Sequence, residues 1–276
     1  MKRVLVVILV LALAAALVAG CGTSSKEQSP APGQQAKKTL VVGATPVPHG
    51  DILKVVKPIL AKEGIDLEIR EFTDYNTPNL ALADKQLDAN YFQHVPYLEQ
   101  FCKDHNLDLT WTAKIHFEPM GLYSKKVKNV GDFAAGATIA IPNDPTNGGR
   151  ALVVLEKAGL LKLKEGVGIK ATVQDIVEKK VNVKELEAAM LPKVLDEVDG
   201  AVINGNYAVQ AGLKPSDALV AEDAKSEAAD TYGNVLAVRK GDENRPEIQA
   251  LTKALQSPEV KKFIEETYDG AVVPTF

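Results

Sequence analysis

The sequence has few of the side chains that build reactive centres in enzymes. It contains two cysteines, four histidines and one tryptophan in 276 residues. The HExxH and CxxC metal motifs, the GxSxG turn and the GxxxxGK[ST] phosphate loop are all missing. Two cysteines cannot build a disulfide framework, and Cys102 has no partner in the chain if Cys21 is modified. The sequence therefore predicts no catalytic group, no cofactor and no metal.

Clustered positive charge is also missing. The chain has 32 Lys and Arg against 36 Asp and Glu, a formal net charge of −4, and its lysines are scattered. Proteins that bind nucleic acid gather their basic residues into a patch or stripe. We therefore expect no nucleic-acid partner.

The long uninterrupted apolar run of this sequence lies at its N-terminus. Lys2 and Arg3 precede an apolar stretch over residues 4–19, and LVAGC closes it. The pattern is typical of a secretory signal, and the run is too short to span a membrane comfortably. The cysteine resembles that of a bacterial lipobox, which implies a signal peptide over residues 1–20 and a lipid on Cys21. The alternative is a plain signal peptide with an incidental cysteine.

The segment over residues 21–38 lacks aromatic and branched aliphatic side chains. It cannot bury a core, so we predict a flexible tether. At about 3.3 Å per residue, the part after Cys21 (residues 22–38) would reach roughly 55 Å when extended. A lipid on Cys21 would then hold the body of the protein near a membrane surface.

The body of the chain alternates between strand and helix patterns. TLVVGA (residues 39–44) reads as a strand, ILKVVKPILAKEG (52–64) has apolar residues at helical spacing, and IDLEIREF (65–72) alternates as a strand does. This order predicts a βαβ unit with parallel strands. A second group begins with the strands ATIAIP (137–142), VNVKELE (181–187) and GAVING. We predict an α/β protein of two lobes, with a ligand site beyond the carboxyl ends of its strands.

NDPTNGGR (residues 143–150) lies between a predicted strand and a predicted helix. A helix N-terminus is electropositive, so a cation there suggests that an anion is expected. Gly148 and Gly149 would permit close approach to the backbone, and Arg150 could bind a carboxylate in a bidentate manner. The alternative is that Asn147 caps the helix and Arg150 is solvated.

Asparagines follow the third strand of this second group. In AVINGNYA (201–208), either Asn204 or Asn206 could cap the next helix. The other amide would remain free to bind a carboxylate or an ammonium group. Asn234 lies just before another predicted strand, near a place where the chain could cross between lobes.

DANYFQHVPYLEQF (88–101) is rich in aromatic residues. Tyr97 and Phe101 are four apart on a predicted helix, which favours a core position. Tyr91 and Phe92 are adjacent, so in an extended segment they face opposite ways. We predict that one of these two lines a cavity together with His94. The alternative for His94 is a helix-capping role.

KIHFEPMG (114–121) places His116 and Glu118 two residues apart in an extended segment, and therefore on one face. A carboxylate on this face could receive an ammonium group. A metal site would need more ligands at such spacing, and the nearby sequence supplies none.

Five segments together resemble the NlpA/MetQ family of methionine-binding lipoproteins. They are TPVPHGDIL, DANYFQHVPYL, HFEPMGLYSKK, IPNDPTNGGRAL and VINGNYA. The likeness runs from about Thr39 to the C-terminus, and Gly50 and Asp51 are a small departure from the family pattern. The resemblance implies a two-lobed periplasmic-binding-protein fold with two crossovers between its lobes. It also implies methionine as the ligand and an ABC permease and ATPase as partners.

The resemblance also implies roles for particular residues. Arg150 would hold the carboxylate of the ligand, with Asn147 and Asn204 nearby, and Glu118 or Asn234 would meet its ammonium group. The residues expected around its side chain are Tyr91, Phe92, His94 and His116. Loss of Arg150 is expected to weaken methionine binding at least tenfold while leaving the stability of the protein nearly unchanged.

The lobes are expected to divide the chain unevenly. Lobe 1 would comprise residues 39–122 and 232–276, and lobe 2 residues 123–231. Three other functions stay open at this point: a binder of another amino acid or of a short methionine-containing dipeptide, a surface enzyme, and a scaffold lipoprotein.

Overall fold

The computed structural model describes residues 38–276. The predicted signal peptide, the lipid on Cys21 and nearly all of the predicted tether lie outside these residues and stay predictions. Lys38, the last residue assigned to the tether, already belongs to the first strand. None of the helices within residues 38–276 has the length and hydropathy that a membrane span requires.

Thirteen strands form in this part of the chain. They are β1 Lys38–Ala44, β2 Ile65–Glu71, β3 Ala89–His94, β4 Leu109–Phe117, β5 Gly121–Tyr123, β6 Thr138–Pro142, β7 Leu161–Leu163, β8 Ile176–Lys179, β9 Asn182–Leu186, β10 Gly200–Ile203, β11 Val220–Ala221, β12 Asn234–Arg239 and β13 Val273–Pro274. The α-helices are α1 Asp51–Lys62, α2 Thr77–Ala83, α3 Val95–His105, α4 Pro145–Lys157, α5 Gly205–Gln210, α6 Glu227–Thr231, α7 Pro246–Leu255 and α8 Pro258–Tyr268.

The first sheet has six strands in the order β13-β4-β12-β3-β1-β2. The predicted βαβ unit is confirmed, because β1 pairs in parallel with β2, with Lys38 opposite Ile65, and α1 connects them. The apolar face of α1 packs on the sheet. The buried side chains of this layer include Leu40, Val42, Ile52, Val56 and Leu60.

The second sheet has five strands in the order β11-β5-β10-β6-β9. Its centre is parallel, since β6 pairs in that sense with both β10 and β9, and α4 covers one of its faces with buried Ala151, Leu152 and Leu155. The small sheet of β7 and β8 was not predicted from the sequence. Neither of its strands shows a sustained alternation of apolar and polar residues.

The chain passes between the two large sheets twice. It leaves the first sheet after Phe117 and enters the second at Gly121, and it returns between Ala221 and Asn234. The two-lobed, two-crossover architecture is therefore present, while the exact lobe boundaries remain a prediction. The carboxyl ends of β1, β3, β4, β6 and β10 lead into the loops between the sheets, where a ligand site of an α/β protein is expected.

Candidate functional site

A buried chamber lies between the two sheets. It is lined by Tyr75, Phe92, Gln93, His94, Tyr97, Glu118, Asn147, Arg150, Asn204, Gly205, Asn206 and Asn234. Seven of the nine predicted ligand-binding residues are among them. The other two, Tyr91 and His116, lie behind the chamber wall and contact Glu118 or its partners instead.

The side chain of Arg150 is buried and hydrogen-bonded to Glu222 and Glu118. Its Nε donates to Oε1 of Glu222 at 2.8 Å, and its Nη2 donates to Oε2 of Glu222 at 2.5 Å and to the carbonyl oxygen of Glu118 at 2.9 Å. The ring of Tyr232 lies 4.1 Å from Cζ, a cation–π contact. Burial by itself would lower the pKa of Arg150, but Glu222 outweighs it and the pKa is raised. Arg150 is therefore a charged, oriented donor and not a solvated side chain.

The N-terminus of the helix that contains Arg150 already has a capping residue. Helix α4 begins at Pro145, and the side chain of Asp144 caps it by accepting from the backbone N–H of Asn147 at 2.9 Å. Arg150 thus lies in the second turn and not at the helix end as predicted, because proline at the first position starts the helix earlier. Gly149 serves packing, since a Cβ there would lie 2.2 Å from the carbonyl oxygen of Ile169.

Asn147 links the two sides of the chamber. Its Nδ2 donates to both carboxylate oxygens of Asp144 at 3.0 Å, so its Oδ1 must act as an acceptor. That oxygen receives Nδ2 of Asn204 at 2.8 Å and Nε2 of His94 at 3.0 Å. His94 also caps α3, because its Nδ1 accepts from the backbone N–H of Tyr97. Both sequence interpretations of His94 are therefore realised by one neutral ring.

Two amides present unpaired atoms to the chamber. Asn204 lies at the N-cap position of α5, but its side chain makes no capping bond. Asn206 accepts the hydroxyl of Tyr75 at 2.5 Å through Oδ1. Within residues 38–276, the buried Oδ1 of Asn204 and Nδ2 of Asn206 have no hydrogen-bond partner. A buried polar atom without a partner costs about 1–3 kcal/mol, so the chamber offers one strong acceptor and one strong donor.

One buried histidine is hydrogen-bonded to Glu118, and a second lies beside it. Nε2 of His116 donates to Oε1 of Glu118 at 2.7 Å, and Nε2 of His49 lies 3.4 Å from the same oxygen. His49 itself donates to Oδ1 of Asn234 at 3.0 Å, and Tyr91 donates to Nδ1 of His116. The predicted shared face of His116 and Glu118 is present. His49 joins them from a distant loop, so three possible metal-ligating atoms lie within 4.8 Å of one another.

The carboxylate of Glu118 is buried. Burial raises the pKa of Glu118 above its ordinary value, while His49, Asn206 and Arg150 act in the opposite direction. Gly205 lies directly against this side chain, because a Cβ at that position would come 2.5 Å from the Cβ of Glu118. A buried carboxylate of this kind binds a cation more strongly than an exposed one does.

Aromatic rings form the remaining wall. Phe92 faces the chamber and packs near Tyr75 and Tyr97, with ring centroids 5.9 and 6.2 Å away. Tyr91 faces the opposite side of β3, as the alternation of a strand requires. Tyr97 is itself buried, and it stacks on Phe101 at 5.8 Å, as their helical spacing predicts. The wall offers an apolar, polarizable surface opposite the charged groups.

The chamber is narrow and closed. Its cavity volume is about 20 Å³, and about 10–15 Å³ holds one water molecule. Contacts across the cleft join its two sides: besides the Tyr75–Asn206 bond, the hydroxyl of Tyr207 donates to the carbonyl oxygen of Thr73 at 3.1 Å. An amino acid can therefore enter only if the two halves of the protein separate.

Sequence reasoning missed several residues of this site. Tyr75 and His49 both lie in loops that follow strands, which is a general signal for a ligand site. Asn206 was considered as one of two capping candidates. Glu222 carries no local signal, because its importance depends on Arg150, which is 72 positions away.

Three buried histidines make the stability of the fold depend on pH. Burial lowers the pKa of His49 to about 4 and those of His94 and His116 to about 3. Between pH 6.5 and these values the unfolded chain binds protons that the folded chain does not, so the free energy of unfolding falls as pH falls. We expect a loss of about 1.4 kcal/mol per pH unit for each histidine, partly offset because Glu118 takes up a proton more readily when folded.

Urea unfolding at pH 7.5, 6.0 and 5.0 measures this dependence. The variant His94→Gln keeps a donor for Asn147. Its free energy of unfolding should fall less steeply with falling pH than that of the natural protein. Equal unfolding midpoints at pH 7.5 and 5.0 would contradict the burial of these rings as neutral groups.

Two α/β halves that close on a chamber with a buried cation and a buried anion define the class of this protein. It is a two-lobed solute-binding protein of the periplasmic-binding type, as predicted. The chain belongs to the NlpA lipoprotein family, whose sequence pattern matches residues 40–276.

Comparisons with individual proteins agree with this assignment. Methionine-binding lipoprotein MetQ of Bacillus subtilis (strain 168) is 41% identical over 265 residues, which are 94% of this chain and 93% of that protein. The solved structure of a nutrient-binding protein from Burkholderia cenocepacia bound to methionine has a TM-score of 0.82 and 43% identity, covering 86% of this chain and 100% of that chain. A periplasmic substrate-binding protein of an ABC transporter from Coxiella burnetii has a TM-score of 0.80 and 42% identity, with the same coverage.

Proposed function

We propose that this protein is a lipid-anchored solute-binding protein that captures methionine and delivers it to an ABC importer. The observation that carries the proposal is the chamber itself, in which a guanidinium, a carboxylate and two unpaired amide atoms face aromatic rings. A free amino acid with an apolar side chain matches all of these groups. The names of the similar proteins point to methionine among such amino acids.

The zwitterionic end of the ligand would be bound by groups of opposite charge. Its carboxylate is assigned to Arg150 and to the free Nδ2 of Asn206, and its ammonium group to Glu118 and the free Oδ1 of Asn204. Each unpaired atom then gains a partner of the correct kind. Asn234 is occupied by His49 through its Oδ1, so it acts by holding the histidine that supports Glu118.

The side chain of the ligand would lie against Phe92, Tyr75 and Tyr97. A thioether gains about 0.3–1.5 kcal/mol from contact with an aromatic ring. Tyr91 and His116, which the sequence placed around this side chain, are assigned a supporting role, because they orient Glu118 from behind the wall.

Transport requires that the bound state be recognised. The ligand would bridge the two halves and favour the closed arrangement to the extent that it binds this arrangement better than an open one. We infer that a membrane permease, driven by its ATPase, accepts the closed protein. A lipid on Cys21 would keep the protein on the extracytoplasmic face of the cell membrane.

Native mass spectrometry of the purified protein, followed by calorimetric titration with single amino acids, tests this function. We expect a co-purifying mass equal to methionine and tighter binding of methionine than of norleucine, which has the same length without sulfur. Tighter binding of another amino acid or of a methionine-containing dipeptide would replace methionine as the ligand. Turnover of a bound compound would favour a surface enzyme, and the absence of any binding would favour a scaffold.

A further inference from the structure

Arg150 separates two cavities. On one side it lines the chamber, and on the other it lines a second cavity, which we call the outer groove. The outer groove has a volume of about 260 Å³, and its lining includes Val154, Ile169, Glu222 and Tyr232. The chamber and the outer groove thus share one side chain as their common wall.

Two neighbouring side chains, Glu222 and Tyr232, hold Arg150 in place, and we call these three residues the wall. Glu222 binds Nε and Nη2 of Arg150 through both of its oxygens and also accepts the backbone N–H of Met120 at 2.9 Å. The guanidinium carbon of Arg150 also lies 4.1 Å from the ring centroid of Tyr232. Because Glu222 is tied to the backbone, it fixes the direction of Arg150 as well as balancing its charge.

This fixed direction limits what Arg150 can bind. The Nε and Nη2 donors are committed to Glu222 and to the carbonyl oxygen of Glu118, and Nη1 has no acceptor within the part of the chain that the structure describes. A carboxylate in the chamber can therefore meet the guanidinium only at its remaining end. If a ligand bound there continued past its first carboxyl carbon toward the outer groove, it would meet the side chains of Arg150, Glu222 and Tyr232.

We propose that Glu222 is a specificity-determining residue that restricts the site to free amino acids. It holds Arg150 across the opening between the chamber and the outer groove, and so excludes ligands extended by a further residue at the carboxyl end. This inference rests on the proposed function. Without Glu222 the guanidinium loses its anchor, the chamber joins the outer groove, and the apolar floor of Val154 and Ile169 offers room for one more residue.

Calorimetric titration with methionine and with methionyl-alanine measures the effect as the ratio of the two dissociation constants. The natural protein is expected to prefer methionine at least tenfold. Glu222→Ala should reduce that preference at least tenfold, because it opens the wall. Glu222→Gln fills the same space but has only one acceptor atom left for Arg150, so it should reduce the preference less than Glu222→Ala does. The matched control is Glu227→Ala, which changes only the outer groove and should leave the ratio as it is.

The ratio distinguishes a specificity role from a structural one. A general loss of structure would raise the dissociation constants of both ligands by the same factor and leave their ratio unchanged. An opened wall would change the ratio. If Glu222→Ala does not fold, Tyr232→Ala removes the other part of the wall and is expected to shift the ratio in the same direction. If a wall variant folds, still binds methionine and shows an unchanged ratio, the inference about Glu222 is wrong, while the proposed function stands. Equal binding of both ligands by the natural protein also overturns it, and failure of the natural protein to bind methionine overturns the proposed function instead.

Discussion

Replacing Arg150 by alanine is expected to weaken methionine binding at least tenfold, which corresponds to about 1.4 kcal/mol or more. Among the described residues that line the chamber, Arg150 is the only Lys or Arg, so the variant loses that positive charge. The structure also changes the expectation for stability, which the sequence predicted to stay nearly constant. Because Glu222 is largely buried, the variant leaves its carboxylate with the backbone N–H of Met120 but without a cation. Breaking a buried ion pair costs about 3–5 kcal/mol.

The two effects of this substitution can be separated. The double variant Arg150→Ala with Glu222→Ala removes both charges, so we expect it to regain much of the lost free energy of unfolding without regaining methionine affinity. Arg150→Lys should keep the charge and lose the planar fork. Calorimetry gives the affinities and urea unfolding gives the stabilities. Methionine affinity that is unchanged in Arg150→Ala would remove this residue from the ligand site.

Replacing Glu118 by glutamine is expected to affect binding and stability in opposite directions. A hydrogen bond to a charged group contributes about 1.5–3 kcal/mol, so the affinity for methionine should fall roughly ten- to hundredfold. The free energy of unfolding should stay the same or rise at neutral pH. The pKa of Glu118 is raised by burial, which means that the fold disfavours its ionised form and loses stability as pH rises through that pKa.

Glu118→Gln should also flatten the pH dependence of binding. In the natural protein, affinity should decline as pH falls through the raised pKa, because a protonated carboxyl group cannot pair with an ammonium group. Titrations between pH 8 and pH 5 test this. Glu178→Gln is the matched control, since Glu178 is exposed and pairs at the surface with Lys162. Methionine affinity that is the same in Glu118→Gln and in the control would assign the ammonium group elsewhere.

Much of the order of strands and helices could be predicted from local sequence, but the small sheet of β7 and β8 could not. The alternation in residues 65–72 and the helical spacing in 52–64 both appear in the structure as expected. These features depend on neighbours within a few positions, so a sequence displays them directly. The segments that resemble the family also identified most of the residues that line the chamber.

The geometry of the chamber depends on contacts between distant parts of the chain. The local sequence placed Arg150 at a helix end facing an absent anion, whereas the structure caps that end with Asp144 and gives the arginine an internal partner, Glu222. In the same way His49 reaches Glu118 from a loop of the first sheet. Periodicity cannot show such pairs, because they form only when both sheets have folded and packed.

The sequence by itself therefore determined the class of fold, the family and the side chains available for recognising an amino acid. Tertiary structure alone decided which of those side chains face the cavity, which stand behind it, and which charges are already paired. The physical reason is that local backbone preferences act within a few residues, while burial and charge pairing depend on where the whole chain brings its parts together.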